Sequence, residues 1–78
     1  MERELFEKPD TVEEAEWARL RAVHTAAIEE YSLASAVIRD RLLSKVEPTP
    51  EELQREGRAI KALVAAREAF FSAWHRVR

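Results

Sequence analysis

The chain has 78 residues, of which 46 % are hydrophobic and 36 % charged, and its formal net charge is −2. It contains no cysteine, which excludes disulfides and thiolate metal sites, and its 13 basic and 15 acidic residues give no strong field for nucleic acid or an anionic membrane. A chain this short forms one domain at most and buries only about 60 % of the surface that it exposes when unfolded. We therefore expect a partner chain to supply further burial.

Residues 1–10, MERELFEKPD, lack the apolar segment of a signal peptide. We predict an irregular segment here, with Leu5 and Phe6 available to dock on a neighbour. The longest run without Asp, Glu, Lys or Arg is YSLASAVI, of eight residues, whereas a membrane span needs about 20. These features predict a cytoplasmic protein with no membrane partner.

The first predicted helix spans about residues 11–46, which no proline or glycine interrupts. Thr11 and Glu14 have the spacing of a capping box, in which each side chain accepts a hydrogen bond from the other residue's amide. At 100° per residue, one side of this helix is largely apolar. That side carries Trp17, Leu20, His24, Ala27, Tyr31, Ala34, Ile38 and Leu42.

A turn at residues 47–49 and a second helix over about residues 50–77 follow. Thr49 and Glu52 repeat the capping-box spacing, and Pro50 falls at the first helical position, where its missing N–H is not needed. The apolar side of this helix has Arg67 in its middle. Its members are Leu53, Ile60, Leu63, Val64, Arg67, Phe70, Phe71 and Trp74.

A connection of only about three residues predicts that the two helices fold back antiparallel. Folding the hairpin at residue 48 places Ala27 opposite Phe70 and Ala34 opposite Leu63. Small residues would then face large ones, which allows two helices to approach closely.

A lone hairpin leaves one side of these apolar residues in water, and an exposed patch of that extent indicates association. The sequence therefore predicts an all-α fold, an antiparallel two-helix hairpin that dimerises into a four-helix bundle. A monomer, a higher oligomer and a complex with a larger protein are the alternatives. The predicted interface consists of Trp17, Leu20, His24, Tyr31, Ile38, Leu63, Arg67, Phe70, Phe71 and Trp74.

Arg67 and His24 are the residues of this surface that could carry chemistry. A buried guanidinium needs a carboxylate or a route to water, and Glu30 lies near the expected level. We interpret Arg67 as packed in the seam between the helices and His24 as a hydrogen-bonded packing residue. A carboxylate-bridged metal site would need a Glu-x-x-His motif, and Arg21 and Ser72 occupy the positions where that glutamate would stand. We expect no metal, cofactor or catalytic site.

The leading functional prediction is a small non-enzymatic oligomerisation or protein-interaction module, such as an adaptor, assembly or regulatory protein. The first alternative is a regulator that binds nucleic acid through basic residues near the turn, although acidic residues are interspersed there. A less favoured alternative is a small helical enzyme with His24 and Arg67 in a cleft between subunits. The basic residues near the turn are Arg39, Arg41, Lys45, Arg55, Arg58 and Lys61.

Overall fold

The computed structural model describes residues 12–77 and contains two helices, α1 (Val12–Leu43) and α2 (Pro50–Val77). The helices pack against each other, which confirms the predicted all-α hairpin. The predictions for residues 1–10 and for the Thr11 cap lie outside the described residues.

Helix α1 ends at Leu43 rather than at the predicted Val46. Lys45 adopts a left-handed conformation with φ of 60°, and its amide donates to the Leu42 carbonyl at 3.0 Å. The Val46 amide donates to the Arg41 carbonyl at 2.8 Å, which completes a Schellman motif. The left-handed position after a helix is usually occupied by glycine. Because lysine occupies it here, the end of α1 could not be recognised from the sequence.

Helix α2 begins at Pro50, and the predicted capping box at its start is confirmed. The Thr49 amide donates to Oε1 of Glu52 at 3.0 Å, and the Glu52 amide donates to Oγ1 of Thr49 at 3.1 Å. Two amides that the first turn would leave without partners are thereby satisfied, and the start of α2 is fixed next to the connection.

Most of the fully buried positions between the helices are alanine. Within the described residues, the buried apolar side chains are Leu20 and Ala34 of α1 and Ala59, Ala66 and Ala73 of α2. The last three recur every seven residues, and we call them the alanine seam. The sequence interpretation placed larger residues of α2 in this contact and overlooked the seam. Leu63 and Phe70 are half-buried and flank it.

The register of the hairpin also differs from the prediction. Phe70 was expected opposite Ala27, but its ring lies 5.1 Å from that of Trp17. The connection covers residues 44–49 because α1 stops early, so the chain reverses direction before residue 48. Each residue of α2 consequently lies opposite an earlier part of α1 than predicted.

Candidate interaction surface

One flank of α2 carries large apolar side chains that α1 does not cover. They are Leu53, Ile60, Val64, Phe71 and Trp74, and Gly57 and Arg67 complete with them a set whose spacings alternate between four and three residues. We call this set the stripe. Its apolar members other than Gly57 are between 37 % and 53 % exposed. Because Ile60, Arg67 and Trp74 each follow an alanine of the seam by one residue, the stripe lies about 100° around α2 from the seam.

Helix α1 contributes to the same face of the hairpin. An open groove of about 310 Å³ is lined by Arg21 and His24 of α1 together with Arg67, Phe70 and Phe71 of α2. Ile28, one turn beyond His24, is 43 % exposed. The face is therefore two helices wide, with the aromatic end of the stripe at one end.

Three aromatic rings join the helices at the end of the hairpin away from the connection. The Trp17 ring lies 5.1 Å from that of Phe70, tilted by 58°, and 5.9 Å from that of Trp74 at 69°. Phe70 is also edge-on to Phe71, with 5.9 Å between ring centroids. These separations and tilts are those at which aromatic pairs attract beyond their burial. They hold together an end of the hairpin that no loop closes.

Arg67 is not buried in the contact between α1 and α2. It is exposed on the stripe, and the Glu30 carboxylate proposed as its partner accepts hydrogen bonds from Arg55 instead, at 2.7 and 3.0 Å. Within the described residues the Arg67 side chain forms no hydrogen bond or salt bridge. The expected pairing of Arg67 with Glu30 is therefore not formed, because the register shift places Arg55 beside Glu30, and the Arg67 guanidinium has the route to water that was the alternative.

Polar links between the helices flank the alanine seam. Nε and Nη2 of Arg41 donate to the Glu52 carboxylate at 2.6–3.1 Å, and Ser35 Oγ donates to Glu56 at 3.0 Å.

Hydrogen bonds from Arg41 and from the Thr49 amide lower the pKa of Glu52 to about 2. The hydrogen bonds from Arg55 likewise lower the pKa of Glu30.

We predict that Glu52→Gln removes a pH-dependent part of the stability. Glutamine can still complete the capping box, but the ion pair with Arg41 is lost. Folding lowers the pKa of Glu52 from 4.5 to about 2, so its contribution is present above the higher value and is lost as the pH falls through the lower one. The thermal midpoint of the variant should lie below wild type near neutral pH, and the difference should shrink between about pH 4 and pH 2.

Circular dichroism melts across this pH range measure the effect. Glu51→Gln is the matched control because it removes the same charge from an exposed neighbour in the first turn. An equal loss in both variants, or a difference that does not change with pH, would contradict the prediction.

Near the connection, three of the basic residues lie beside carboxylates. Arg41 pairs with Glu52 and Arg55 with Glu30, and Nε of Arg39 lies 3.8 Å from Asp40. A phosphate backbone would have to compete with these carboxylates. This arrangement favours a mutually paired surface, as the interspersed acidic residues of the sequence indicate.

The predicted interface residues divide by exposure. Leu20 is buried in the contact with α2, whereas Arg67, Phe71 and Trp74 are exposed on the stripe. The half-buried members between these extremes are Trp17, His24, Tyr31, Ile38, Leu63 and Phe70. His24 and Arg67 line the same groove.

No protein-family model, curated protein or solved structure matches the chain. Among residues 12–77 there is no cluster of three or more His, Asp or Glu side chains suited to a metal ion. Neither described helix has an apolar stretch long enough to cross a bilayer. Proposals for the function therefore depend on the chain's own surface.

Proposed function

We propose that the protein is a non-enzymatic interaction module that acts by self-association, with two hairpins forming a four-helix bundle through the stripe. The observation that carries this proposal is the exposure of the stripe, whose large apolar residues lie outside the contact between α1 and α2. We also propose a cytoplasmic location, which the lack of cysteine supports.

The spacing of the stripe supports this proposal. Apolar residues that alternate at four and three positions are typical of helices that pack along a second helix. Helix α2 contacts α1 through the alanine seam, and the stripe is a separate, exposed surface of the same helix. A contiguous apolar surface of this kind is typical of interaction sites.

The width of the face favours a bundle over a single added helix. Ile28 is exposed on α1, and Trp17, His24 and Tyr31, which share one heptad position there, are half-buried. Two helices that each present apolar residues on one face match the layer of a four-helix bundle. A second hairpin brings two helices at once and covers both rows.

We predict that the wild type sediments as a dimer and that Ile60→Glu sediments as a monomer with its helical content retained. Ile60 is 44 % exposed at the middle of the stripe, so a carboxylate is tolerated in the single hairpin but would be buried without a partner in the bundle. Sedimentation equilibrium from micromolar to millimolar protein gives the mass, and far-UV circular dichroism gives the helical content.

Leu33→Glu is the matched control, because Leu33 is a 59 % exposed apolar residue of α1 that does not line the groove. It should leave the dimer intact. A wild type that remains monomeric at millimolar concentration would overturn the proposal. A dimer that Leu33→Glu disrupts and Ile60→Glu does not would show that another surface is used.

A further inference from the structure

We infer that the covering chain is a second copy whose α2 runs antiparallel to this α2, with the twofold axis at the level of Val64 and Ala65. Lys61 of each copy then meets Glu68 of the other. This inference rests on the proposed self-association and adds which helices meet and in what register. Two features of α2, one of charge and one of shape, place the axis at nearly the same level.

The charge feature is a basic and an acidic residue seven positions apart on one edge of the stripe. Lys61 follows Ile60 and Glu68 follows Arg67, so both side chains lie on the edge of the stripe away from α1. Both are exposed, and within the described residues neither forms a salt bridge. Residues at the same flanking position of the heptad face each other across antiparallel helices, so two copies give two opposite-charge pairs related by the twofold axis.

The shape feature is Gly57. A Cβ built at Gly57 would meet no atom within 4 Å, so packing inside the described chain does not require a glycine. Glycine also weakens a helix relative to alanine, which makes its place in the stripe costly. Gly57 and Phe71 are equally far from Val64 in opposite directions. In the antiparallel pairing, the gap at Gly57 therefore lies opposite the Phe71 ring of the second copy, where small meets large.

A twofold axis parallel to the helices is disfavoured by the basic residues of the groove. It would stack α2 of one copy on α1 of the other at the same level, so that Arg67 of each copy would face Arg21 and His24 of the other. Four guanidinium groups would then lie at one level, which is repulsive. With the antiparallel pairing, the two Arg67 residues are displaced by about 8 Å along the helices, and each is followed by Glu68.

The test is a charge exchange followed by sedimentation equilibrium. Lys61→Glu and Glu68→Lys each place two like-charge pairs across the axis, and we expect each to raise the dimer dissociation constant about tenfold. The double variant Lys61→Glu/Glu68→Lys restores opposite charges and should return the constant to within about threefold of wild type. Arg58→Glu is the control, because Arg58 is exposed on the side of α2 away from the stripe and its reversal should leave the constant unchanged.

A second variant tests the shape feature. Gly57→Leu should keep the hairpin helical, because there is open space at this position within the chain, but should weaken the dimer at least tenfold. If the wild type is monomeric, the proposed function fails and this inference with it. If the wild type is dimeric but the double variant is no tighter than the single ones, the inference alone fails. A dimer that tolerates Gly57→Leu would also overturn it.

Discussion

Ala66→Leu is expected to destabilise the hairpin by about 1–3 kcal/mol, a large part of what a domain of this size possesses. Ala66 is 6 % exposed in the middle of the alanine seam, with Ala59 and Ala73 one heptad away on either side. A leucine there can be accommodated only if the helices separate, and separation would weaken the packing of the neighbouring alanines and of Leu20. Urea unfolding followed by circular dichroism measures the loss.

Ala65→Leu provides the comparison, since the same substitution is made one residue earlier at an exposed position. Leucine and alanine are both good helix formers, so this variant should stay within about 0.5 kcal/mol of wild type. Equal stability of the two variants would mean that the helices do not meet through the alanine seam.

Trp17→Ala is expected to cost about 2 kcal/mol and to loosen the end of the hairpin opposite the connection. The Trp17 ring is the α1 member of the aromatic cluster and contacts both Phe70 and Trp74. We place the value below that for a fully buried tryptophan because Trp17 is half-buried. Native-state hydrogen exchange should show lost protection near Leu20 and Phe70, while amides around Ala34 and Ala59 change less.

Leu43→Ala is the control for simple loss of apolar surface, because Leu43 is 75 % exposed at the end of α1. It should change the stability by less than about 0.5 kcal/mol. A uniform loss of protection along both helices in Trp17→Ala would argue that the cluster stabilises the whole hairpin rather than its open end.

The helices themselves could be predicted from the sequence because their signals are local. Pro50 and the Thr49–Glu52 capping box mark the start of α2 within four residues, and the structure confirms them. The end of α1 could not be predicted as well. It depends on Lys45 adopting a left-handed conformation that glycine normally signals, and the error there carried over into the register.

The interaction surface could be predicted in part. The stripe was recognised because its large apolar residues recur at helical spacing. Arg67, Phe71 and Trp74 were assigned to the interface with a partner, but large residues of α2 were also placed against α1, since hydrophobicity patterns give more weight to large side chains than to alanines. The seven-residue spacing of Ala59, Ala66 and Ala73 was present in the sequence. The large apolar residues of the stripe, at neighbouring positions, gave a stronger hydrophobic pattern. The partners of Arg41 and Arg55 depend on the register, which a helical wheel does not give.

The polar links between the helices have a consequence for how α2 is oriented about its own long axis. A rotation by one residue step, about 100°, would turn Ile60 and Phe71 towards α1 and bury more apolar surface than the alanines do. The same rotation would separate Glu52 from Arg41, Arg55 from Glu30 and Glu56 from Ser35 together. These bonds therefore oppose a competing arrangement in which the largest side chains of α2 would be buried against α1. In that arrangement, no large apolar surface of α2 would be available to a second molecule.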